Sequence, residues 1–245
     1  MKLTSLLASA LVIAATASEA FAADEVKLVA ARSSNCPPVS GCYRDTYLRG
    51  TVEVKNLGYA KTIDLVYKDV YSGQWQSAPA AYVGPSSSGK ELWSFDFSAA
   101  AAELAVSYTV NGQTYWDNNG GGNYVFTPYV LDAILTYPKI AEPVGERAPE
   151  QTSVNGRILV KNLSYTKVIR AVYTDDGWAT AKEAYASYDY TVPSGVEAWF
   201  FSLPVAASAP SSAIEIAFEY TFDGGVDWDN NYGHNYRIVG GVIHR

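Results

Sequence analysis

The chain has 245 residues, a formal net charge of −7 and only 18% charged residues, yet it contains 19 Tyr, 8 Phe and 6 Trp. An acidic chain with no block of Lys or Arg is a poor partner for nucleic acid or an anionic membrane, so neither is expected as a partner. Few charges and many aromatic rings suit a neutral, hydrogen-bonding partner with apolar faces, as sugars have, although a β-rich core also uses aromatic residues.

The first residues have the pattern of a secretory signal peptide. Lys2 precedes an apolar run over residues 6–17, and an A-x-A-like cleavage signal follows at residues 20–22. The run is too short and wrongly flanked for a membrane span, and no other segment approaches the roughly 18 apolar residues of a transmembrane helix. We therefore expect residues 1–22 to be removed and a soluble chain to be secreted to the extracellular space, or to the periplasm if the host is Gram-negative.

A pair of cysteines, Cys36 and Cys42, comes next, and they are the only two in the chain. Export would place them in an oxidising compartment, where we expect them to form a disulfide that closes a very short loop. A metal site needs more ligands than two cysteines, and the two histidines, His234 and His244, lie far along the chain.

Most of the remaining chain is one pattern that occurs twice. The segment GTVEVKNLGYAKTIDLVYKD at residues 50–69 reappears as GRILVKNLSYTKVIRAVYTD at residues 156–175, an offset of 106 residues. The segment TYWDNNGGGNY at residues 114–124 reappears as VDWDNNYGHNY at residues 226–236, an offset of 112 residues. A unit of slightly over 100 residues has the size of a whole domain, which predicts a tandem duplication.

The junction between the copies is predicted near Thr127 and Pro128. This placement matches VKLVAARSS, residues 26–34, with YVLDAILTY, residues 129–137, as the first strand of each copy. The Pro-rich residues 138–151 would then be the second copy's version of the cysteine loop. The predicted parts are a signal peptide (1–22), a first domain (23–127) and a second domain (128–245).

Within each copy the apolar pattern is typical of β-strands. The segments TVEVKNL and RILVKNL alternate between apolar and polar residues, as do AVSYTV and IAFEYTF. Asn-Gly and Pro-Ser-Gly turn signals separate the strands, and no stretch has good helical periodicity. Seven or eight short strands in about 105 residues predict an all-β fold with two immunoglobulin-like antiparallel β-sandwich domains in tandem.

No recurring constellation of catalytic groups is visible. The Asp of each WDNN motif has no carboxylate partner that recurs beside it, and no Ser has a convincing His partner. A calcium loop is a weaker alternative: Asp227, Asp229 and Asn231 have EF-hand spacing, but Tyr232 and Ile238 stand where such a loop needs Gly and Glu. We therefore expect no enzymatic activity, no cofactor and no bound metal.

The WDNN motif does fit the recognition of a sugar. A pyranose ring offers an apolar face and a rim of hydroxyl groups, so binding needs an exposed aromatic ring and groups that both donate and accept hydrogen bonds. The motif supplies a ring and several amides in one turn, although Asn in a turn also satisfies its own backbone. Both readings of the amides stay open.

These residues closely resemble carbohydrate-binding module family 21, the starch- and glycogen-binding modules of fungal glucoamylases and of glycogen-targeting subunits of protein phosphatase 1. The shared pattern is a V-K-N-x-x-Y-x-K strand, a D-x-W loop, a W/Y-x-F strand and a terminal Y-W/Y-D-N-N-x-x-x-N-Y. Both copies carry most of it, so the resemblance covers nearly the whole chain after the predicted signal peptide.

The resemblance implies a β-sandwich with two sugar-binding areas in each module. The first area contains the loop Trp and the aromatic residue before DNN, and the second contains the Tyr of the V-K-N-x-x-Y-x-K strand and a later Tyr. In the first copy the rings are Trp75, Trp116, Tyr59 and Tyr82, and the polar contacts are Asn56, Lys61, Asn118 and Asn123. In the second copy the rings are Trp178, Trp228, Tyr165 and Tyr188, and the polar contacts are Asn162, Lys167, Asn230 and Asn235.

The chain also departs from the family pattern. Ala105 and Ala217 occupy a strand position that carries a ring in fungal members, so a platform of two rings is expected in the first area. Trp93 and Trp199 sit inside alternating strands and are predicted to be core residues.

The resemblance implies a secreted, non-catalytic protein that binds an α-glucan, such as starch, glycogen or maltooligosaccharides, and works beside separate amylolytic enzymes. Two modules on one polymer would strengthen binding by roughly 10²–10⁴ through effective concentration, provided that both engage at once. The phosphatase-targeting role of some members does not fit an exported chain. The main alternative is a secreted β-sandwich adhesin or surface interaction protein that does not depend on sugar.

Overall fold

The computed structural model describes residues 24–34, 46–86, 89–148 and 150–244. The predicted signal peptide and the predicted disulfide between Cys36 and Cys42 lie outside the described residues. Across the described part of the chain, no helix has the length and apolar character needed to cross a membrane.

The described residues form strands joined by turns, as the alternating apolar pattern predicts. Module one contains β1 (Val26–Ser34), β2 (Tyr47–Lys55), β3 (Lys61–Asp69), β4 (Trp75–Pro79), β5 (Ala81–Pro85), β6 (Lys90–Phe97), β7 (Ala101–Val110), β8 (Gln113–Asp117), β9 (Tyr124–Val125) and β10 (Leu131–Leu135). Module two contains β11 (Ile140–Glu146), β12 (Ser153–Lys161), β13 (Lys167–Thr174), β14 (Lys182–Tyr185), β15 (Ser187–Thr191), β16 (Val196–Pro204), β17 (Glu215–Phe222), β18 (Gly225–Asp229), β19 (Tyr236–Val239) and β20 (Val242–His244).

Each module is a sandwich of antiparallel strands. The inner sheet of module one has the order β10-β1-β2-β6-β5, and its outer sheet has the order β4-β3-β7-β8, with β9 also paired to β7. In module two, β11-β12-β16-β15 forms the inner sheet and β14-β13-β17-β18 the outer sheet. There β19 and β20 connect β17 to β11, so the two sheets of module two are continuous along one edge. The predicted all-β class and antiparallel sandwich are confirmed.

The core of each module lies between its two sheets. In module one, Val52 and Val54 of β2 share one buried cluster with Ile63 and Leu65 of β3. The same positions of module two, 106 residues later, hold Ile158, Val160, Ile169 and Ala171. Burial on alternate positions of facing strands is what the sequence pattern predicts for such a sandwich.

The duplicated segment begins with a glycine in both modules, and the packing of the core explains why. A side-chain carbon added at Gly50 would lie 2.7 Å from Cζ of Phe95, and one added at Gly156 would lie 2.6 Å from Cζ of Phe201. Both glycines also face the backbone of the neighbouring strand, β1 or β11. Gly is therefore required where the aromatic ring of the core crosses the backbone of the inner sheet.

The predicted match between residues 26–34 and residues 129–137 is wrong. Strand β10 pairs with β1 of module one, with Ala30 opposite Leu135. The counterpart of β1 is β11, because Ile140 faces Val160 just as Val26 faces Val54.

The Pro-rich segment, residues 138–151, is consequently not the counterpart of the cysteine loop, since it contains a strand of the inner sheet. The proline inside that strand is tolerated because the register of β11 shifts between Ala141 and Val144, where a bulge interrupts the ladder. Strand β10 lies after the predicted boundary near Thr127 and Pro128 yet pairs within module one, and the boundary itself stays a prediction.

A third apolar cluster lies between the two modules. Its residues come from the inner sheet of each module and from the turn before β16, and they are Val29, Ala30, Ala133, Leu135, Ala141, Leu159, Val192, Val196 and Ala198. The inner sheets are therefore buried on both faces around this cluster, whereas Arg157 and Phe200, farther along inner sheet two, remain exposed.

Candidate functional site

The WDNN motif forms the turn that closes the outer sheet after β8. The hydroxyl of Tyr124 donates to both carboxylate oxygens of Asp117, at 2.9 Å each. The Asn118 side chain accepts from the amide of Gly121 at 3.0 Å. Asn119 donates its side-chain amide to the carbonyl oxygen of Asn123 at 3.0 Å. The first two amides of the motif thus satisfy groups of the turn itself, whereas the Asp117 carboxylate also accepts from the backbone N–H of Leu28 in β1 at 2.7 Å and ties the turn to the inner sheet.

Module two builds the same turn after β18. The hydroxyl of Tyr236 donates to the carboxylate of Asp229 at 2.7 and 2.8 Å, and Asn230 accepts from the amide of Gly233 at 3.0 Å. Asn231 donates to the carbonyl oxygen of Asn235 at 3.0 Å. Of the two open readings, turn formation accounts for Asn118 and Asn230, whose predicted sugar contacts stay untested.

The third amide of each motif reaches the outer sheet. Asn123 donates to the Glu103 carboxylate, and Asn235 donates to the Glu215 carboxylate, both at 3.0 Å. The Glu103 carboxylate also accepts from Lys68, and the Asn123 and Lys68 hydrogen bonds lower its pKa below the ordinary value. These amides hold a charged carboxylate on the outer face of the sheet.

The strand register places both tryptophans of module one on the solvent side of the outer sheet, which we call outer face one. Trp75 of β4 lies opposite Lys68 of β3, and Trp116 of β8 lies opposite Ser107 of β7. Ser107 in turn faces Asp64, which lies four residues before Lys68 and shares its side of β3. About half of each tryptophan is exposed, 49% for Trp75 and 46% for Trp116.

The two rings flank this face at opposite edges. Three strand spacings separate their strands, which is about 14 Å, and the diagonal between the two Cα atoms is about 20 Å. Ala105 lies in the middle row, opposite Val66, so no third ring stands between the tryptophans. The arrangement is an open, shallow surface with a ring at either end, and the expected two-ring platform has this geometry.

Outer face two is the corresponding surface of module two. Trp228 of β18 lies opposite Glu219, which lies opposite Arg170, and Arg170 lies opposite Tyr185 of β14. The Arg170 guanidinium bonds to Glu219 at 2.8 Å and to Glu183 at 2.6 Å. Its Cζ atom also lies 6.0 Å from the centre of the Trp228 ring. A cation and two carboxylates therefore occupy the surface beside this tryptophan.

Trp178 is held differently from Trp75. It follows β13 in a tight turn with φ of 70°, and its backbone amide donates to the Thr174 hydroxyl at 2.9 Å. Its indole N–H donates to the Glu215 carboxylate at 2.8 Å. The Asn235 and Trp178 hydrogen bonds lower the pKa of Glu215, so the acceptor keeps its charge at neutral pH.

The second area is built on a charged network that is the same in both modules. In module one, Lys61 donates to Asn56 at 2.7 Å and to Glu91 at 2.8 Å, and the Trp93 indole donates to Glu91 at 3.2 Å. Only 5% of the Lys61 side chain is exposed. Tyr82 packs edge-on against Trp93, with ring centres 5.6 Å apart.

Module two repeats the network. Lys167 donates to Asn162 at 2.5 Å and to both oxygens of Glu197 at 2.9 Å, and Trp199 donates to Glu197 at 2.9 Å. Tyr188 packs edge-on against Trp199 at 6.1 Å. The predicted sugar-binding residues Lys61 and Lys167 thus lie beneath the surface, where they orient an Asn and neutralise a Glu.

Tyr59 and Tyr165 are the most exposed rings of this area. Both are fully exposed, in the turn that connects the first two strands of each repeated segment. Tyr82 and Tyr188 are about half exposed on the edge strands β5 and β15. The second area therefore offers one free ring and one ring anchored against a tryptophan.

Sequence reasoning missed three groups of residues. Trp93 and Trp199 pack against the cores as partly buried side chains, but the indole N–H of each is bonded to a glutamate two positions earlier, Glu91 or Glu197. The signal was available, since E-x-W recurs at both places. The Glu residues of the outer faces also recur, as E-L-A and E-I-A, whereas the Arg170 cluster occurs in one module and no repeat indicates it.

Comparison with known proteins agrees with this geometry. The family model described as carbohydrate/starch-binding module (family 21) matches residues 35–127 and 143–239. Protein phosphatase 1 regulatory subunit 3C of Bos taurus is 33% identical over 93 residues, which cover 37% of this chain and 29% of that protein. Glucoamylase 1 of Rhizopus oryzae is 33% identical over 87 residues, which cover 34% of this chain and 14% of that protein. The matches thus span less than a third of these relatives.

Among solved structures, the starch-binding domain of Rhizopus oryzae glucoamylase, in complex with β-cyclodextrin and maltoheptaose, is 32% identical. The match covers 45% of this chain and 99% of that domain, with a TM-score of 0.35. The two ranges matched by the family model account for most of the chain, and one range falls in each module. The chain belongs to carbohydrate-binding module family 21 and carries two tandem copies of that module.

Proposed function

We propose that this chain is an exported, non-catalytic protein that binds α-glucans through the outer faces of both modules. The observation that carries the proposal is the pair of half-exposed tryptophans at the edges of each outer face. Apolar rings of this size are usually covered in a soluble protein, so four of them on two open faces indicate a binding surface. Because an indole covers the apolar face of a sugar ring, a row of sugars is the ligand that this surface fits.

The polar residues argue against an anionic ligand. On outer face one, Lys68 and Glu103 pair at 3.1 Å, and on outer face two Arg170 is paired with two carboxylates. Each of these cations is therefore bonded to a carboxylate, and carboxylates outnumber cations on both faces once Asp64 of outer face one is counted. Paired charges still offer hydrogen-bond donors and acceptors to hydroxyl groups, but they give no attraction to an anion.

The α-linked glucans are favoured by family membership and by the relatives. The solved starch-binding domain holds β-cyclodextrin and maltoheptaose, both α-linked glucose oligomers. The phosphatase partnership of the regulatory subunits is left out of the proposal, because an exported chain would not meet that partner.

The second area adds contacts at the edge of each inner sheet. There the ammonium group of Lys61 or Lys167 donates to the side-chain oxygen of the neighbouring Asn56 or Asn162 and fixes that amide. The buried ion pair thus prepares the area instead of touching the sugar, so the sugar contacts would come from Tyr59, Tyr82 and their counterparts.

The test is retention on polymers. Wild type should bind soluble starch, glycogen and β-cyclodextrin but not cellulose, and Trp75→Ala/Trp178→Ala should lose most of this binding. If wild type binds no α-glucan, the proposal is wrong and the sugar-independent adhesin takes its place. If the double substitution leaves binding unchanged, the main site is the second area, and Tyr59→Ala/Tyr165→Ala should then abolish it.

Export has its own test. N-terminal sequencing of the protein recovered from the culture medium or periplasm should begin near Ala23. Intact mass before and after reduction and thiol alkylation would show whether Cys36 and Cys42 are joined. An uncleaved protein that stays inside the cell would contradict the export part of the proposal and leave glucan binding standing.

A further inference from the structure

The two modules are joined through their inner sheets. Strand β10 of module one contacts β16 of module two, and β1 contacts β11. Leu159 and Ala198 of module two belong to the same apolar cluster as Val29 and Ala30 of module one. All four residues are buried, so the interface resembles a further core layer rather than a flexible hinge.

Buried hydrogen bonds fix the orientation across this interface. The Arg32 guanidinium donates to the Glu142 carbonyl oxygen at 2.8 Å, and the Thr51 hydroxyl donates to the Glu142 carboxylate at 2.8 Å. On the other side, the amide of Ser194 donates to the Asp132 carboxylate at 3.1 Å. Because these bonds are directional, they specify one relative placement of the modules.

The layers therefore follow one another in a fixed order. They are outer sheet one, core one, inner sheet one, the interface, inner sheet two, core two and outer sheet two. Sheets packed face to face lie about 10 Å apart, so about 30 Å separates the two outer sheets. Each outer face looks away from the interface, and the two faces look in opposite directions.

We propose that one molecule holds two separate α-glucan segments, one on each side, and so bridges glucan chains or particles. The inference rests on the proposed function of the outer faces. On a flat granule one face can lie against the surface while the other points into solvent. The tandem arrangement then gives cross-linking in place of the stronger attachment to a single surface that two modules could otherwise provide.

A sandwich assay tests the bridge. Beads coated with β-cyclodextrin are loaded with the protein, washed, and offered fluorescently labelled soluble glycogen. Wild type should stay on the beads and hold the glycogen. The single-face variants Trp75→Ala/Trp116→Ala and Trp178→Ala/Trp228→Ala should stay on the beads through the intact face but hold at least about tenfold less glycogen, because a face without its rings loses at least one factor of ten in affinity.

Retention on the beads shows that each variant is folded, and Trp75→Phe/Trp116→Phe is the matched control because it keeps a ring at both positions. Glycogen capture by the single-face variants at the wild-type level would overturn the proposal, since the second glucan-binding site would then lie elsewhere or on another copy of the chain. Wild type that binds beads and glycogen separately but never together would also overturn it. Failure of wild type to bind either one would instead refute the proposed function.

Discussion

The outer faces of the two modules carry tryptophans at matching places, but the surfaces between those tryptophans differ. On outer face one, the row that ends at Trp116 contains Ser107 and Asp64. The corresponding row of outer face two contains Glu219 and Arg170, with Glu183 bonded to the same guanidinium. The duplicated sequence has therefore produced one face with a small side chain and a single carboxylate in this row, and one face on which a cation is bonded to two carboxylates.

The loop tryptophans, Trp75 and Trp178, also differ between the two faces. Trp178 is held by its indole N–H on Glu215, whereas Glu103, the counterpart of Glu215, accepts from Lys68 and Asn123. Trp75 instead projects from β4 at the edge of the sheet. A ring that is already fixed loses less conformational freedom when a ligand binds. Outer face two should therefore bind more tightly, and outer face one should adapt to more ligand shapes.

The second areas, in contrast, are alike in the two modules and should respond alike to the same substitution. Among the described residues, Lys167 is the only cation bonded to Glu197, a carboxylate whose side chain is 8% exposed, and Lys61 is the only cation bonded to Glu91, so Lys167→Met and Lys61→Met each remove that partner. Leaving a buried carboxylate unpaired should cost about 3 kcal/mol of the free energy of unfolding in either module. Denaturant titration followed by tryptophan fluorescence measures the loss.

The control for that pair is Lys139→Met, since Lys139 lies 3.9 Å from Asp227 with 42% of its side chain exposed. A surface pair of this kind should contribute less than about 1 kcal/mol. Equal losses in all three variants would contradict a structural role for the buried lysines. A large loss in one module alone would contradict the likeness of the two second areas.

The sequence predicts the duplication, the strands and the exposed rings because all three depend on local pattern and on repetition. Trp93 shows the limit of that reasoning. It lies opposite Val52 and packs against the core, but the residue is only partly buried. Periodicity predicts which face of a strand a residue occupies, but not where the opposing sheet ends.

The joining of the modules shows a second limit. Ile158, Leu159 and Val160 are three consecutive apolar residues, a run typical of a strand buried on both faces, whereas module one has Glu53 at the position of Leu159. That departure from alternation was a usable signal for the interface. The pairing of β10 with β1 was not predictable in this way, because the choice between two partner sheets depends on contacts far apart in sequence.

Trp178→Phe and Trp75→Phe compare the two loop tryptophans directly. Each substitution keeps a ring, but only the first removes an N–H bonded to a carboxylate. With the opposite face disabled by its Trp→Ala pair, Trp178→Phe should weaken β-cyclodextrin binding about fivefold, since a hydrogen bond to a charged group contributes about 1 kcal/mol or more. Trp75→Phe should change the Kd less than about twofold. Titration calorimetry measures both, and equal effects would show that the indole bond does not prepare face two.

Arg170→Met tests the charge cluster beneath Trp228. The substitution removes the cation near the ring and leaves Glu183 and Glu219 without their shared partner. The Kd of face two for β-cyclodextrin should rise about threefold, as expected for the loss of an exposed cation–π contact of about 0.5–1 kcal/mol. Asp64→Asn, at the matching position of face one, should leave the Kd of that face unchanged. A threefold effect at both positions would remove the distinction between the faces.

The smallest effect that we expect is a change in the emission of Trp178, but not of Trp75, at acid pH. Hydrogen bonds from Asn235 and Trp178 lower the pKa of Glu215 below its ordinary value of 4.5. A lowered pKa means that the stabilisation is complete above the ordinary value and is lost as the pH falls through the folded-state pKa. The emission of Trp178, taken as the difference between wild type and Trp178→Phe, should therefore stay constant above the ordinary value and change as the pH falls below it, and the change should vanish in Glu215→Gln. The same difference taken with Trp75→Phe should stay flat, because Glu103 is bonded to Lys68 and Asn123, and a matching transition for Trp75 would mean that both rings rest on their glutamates.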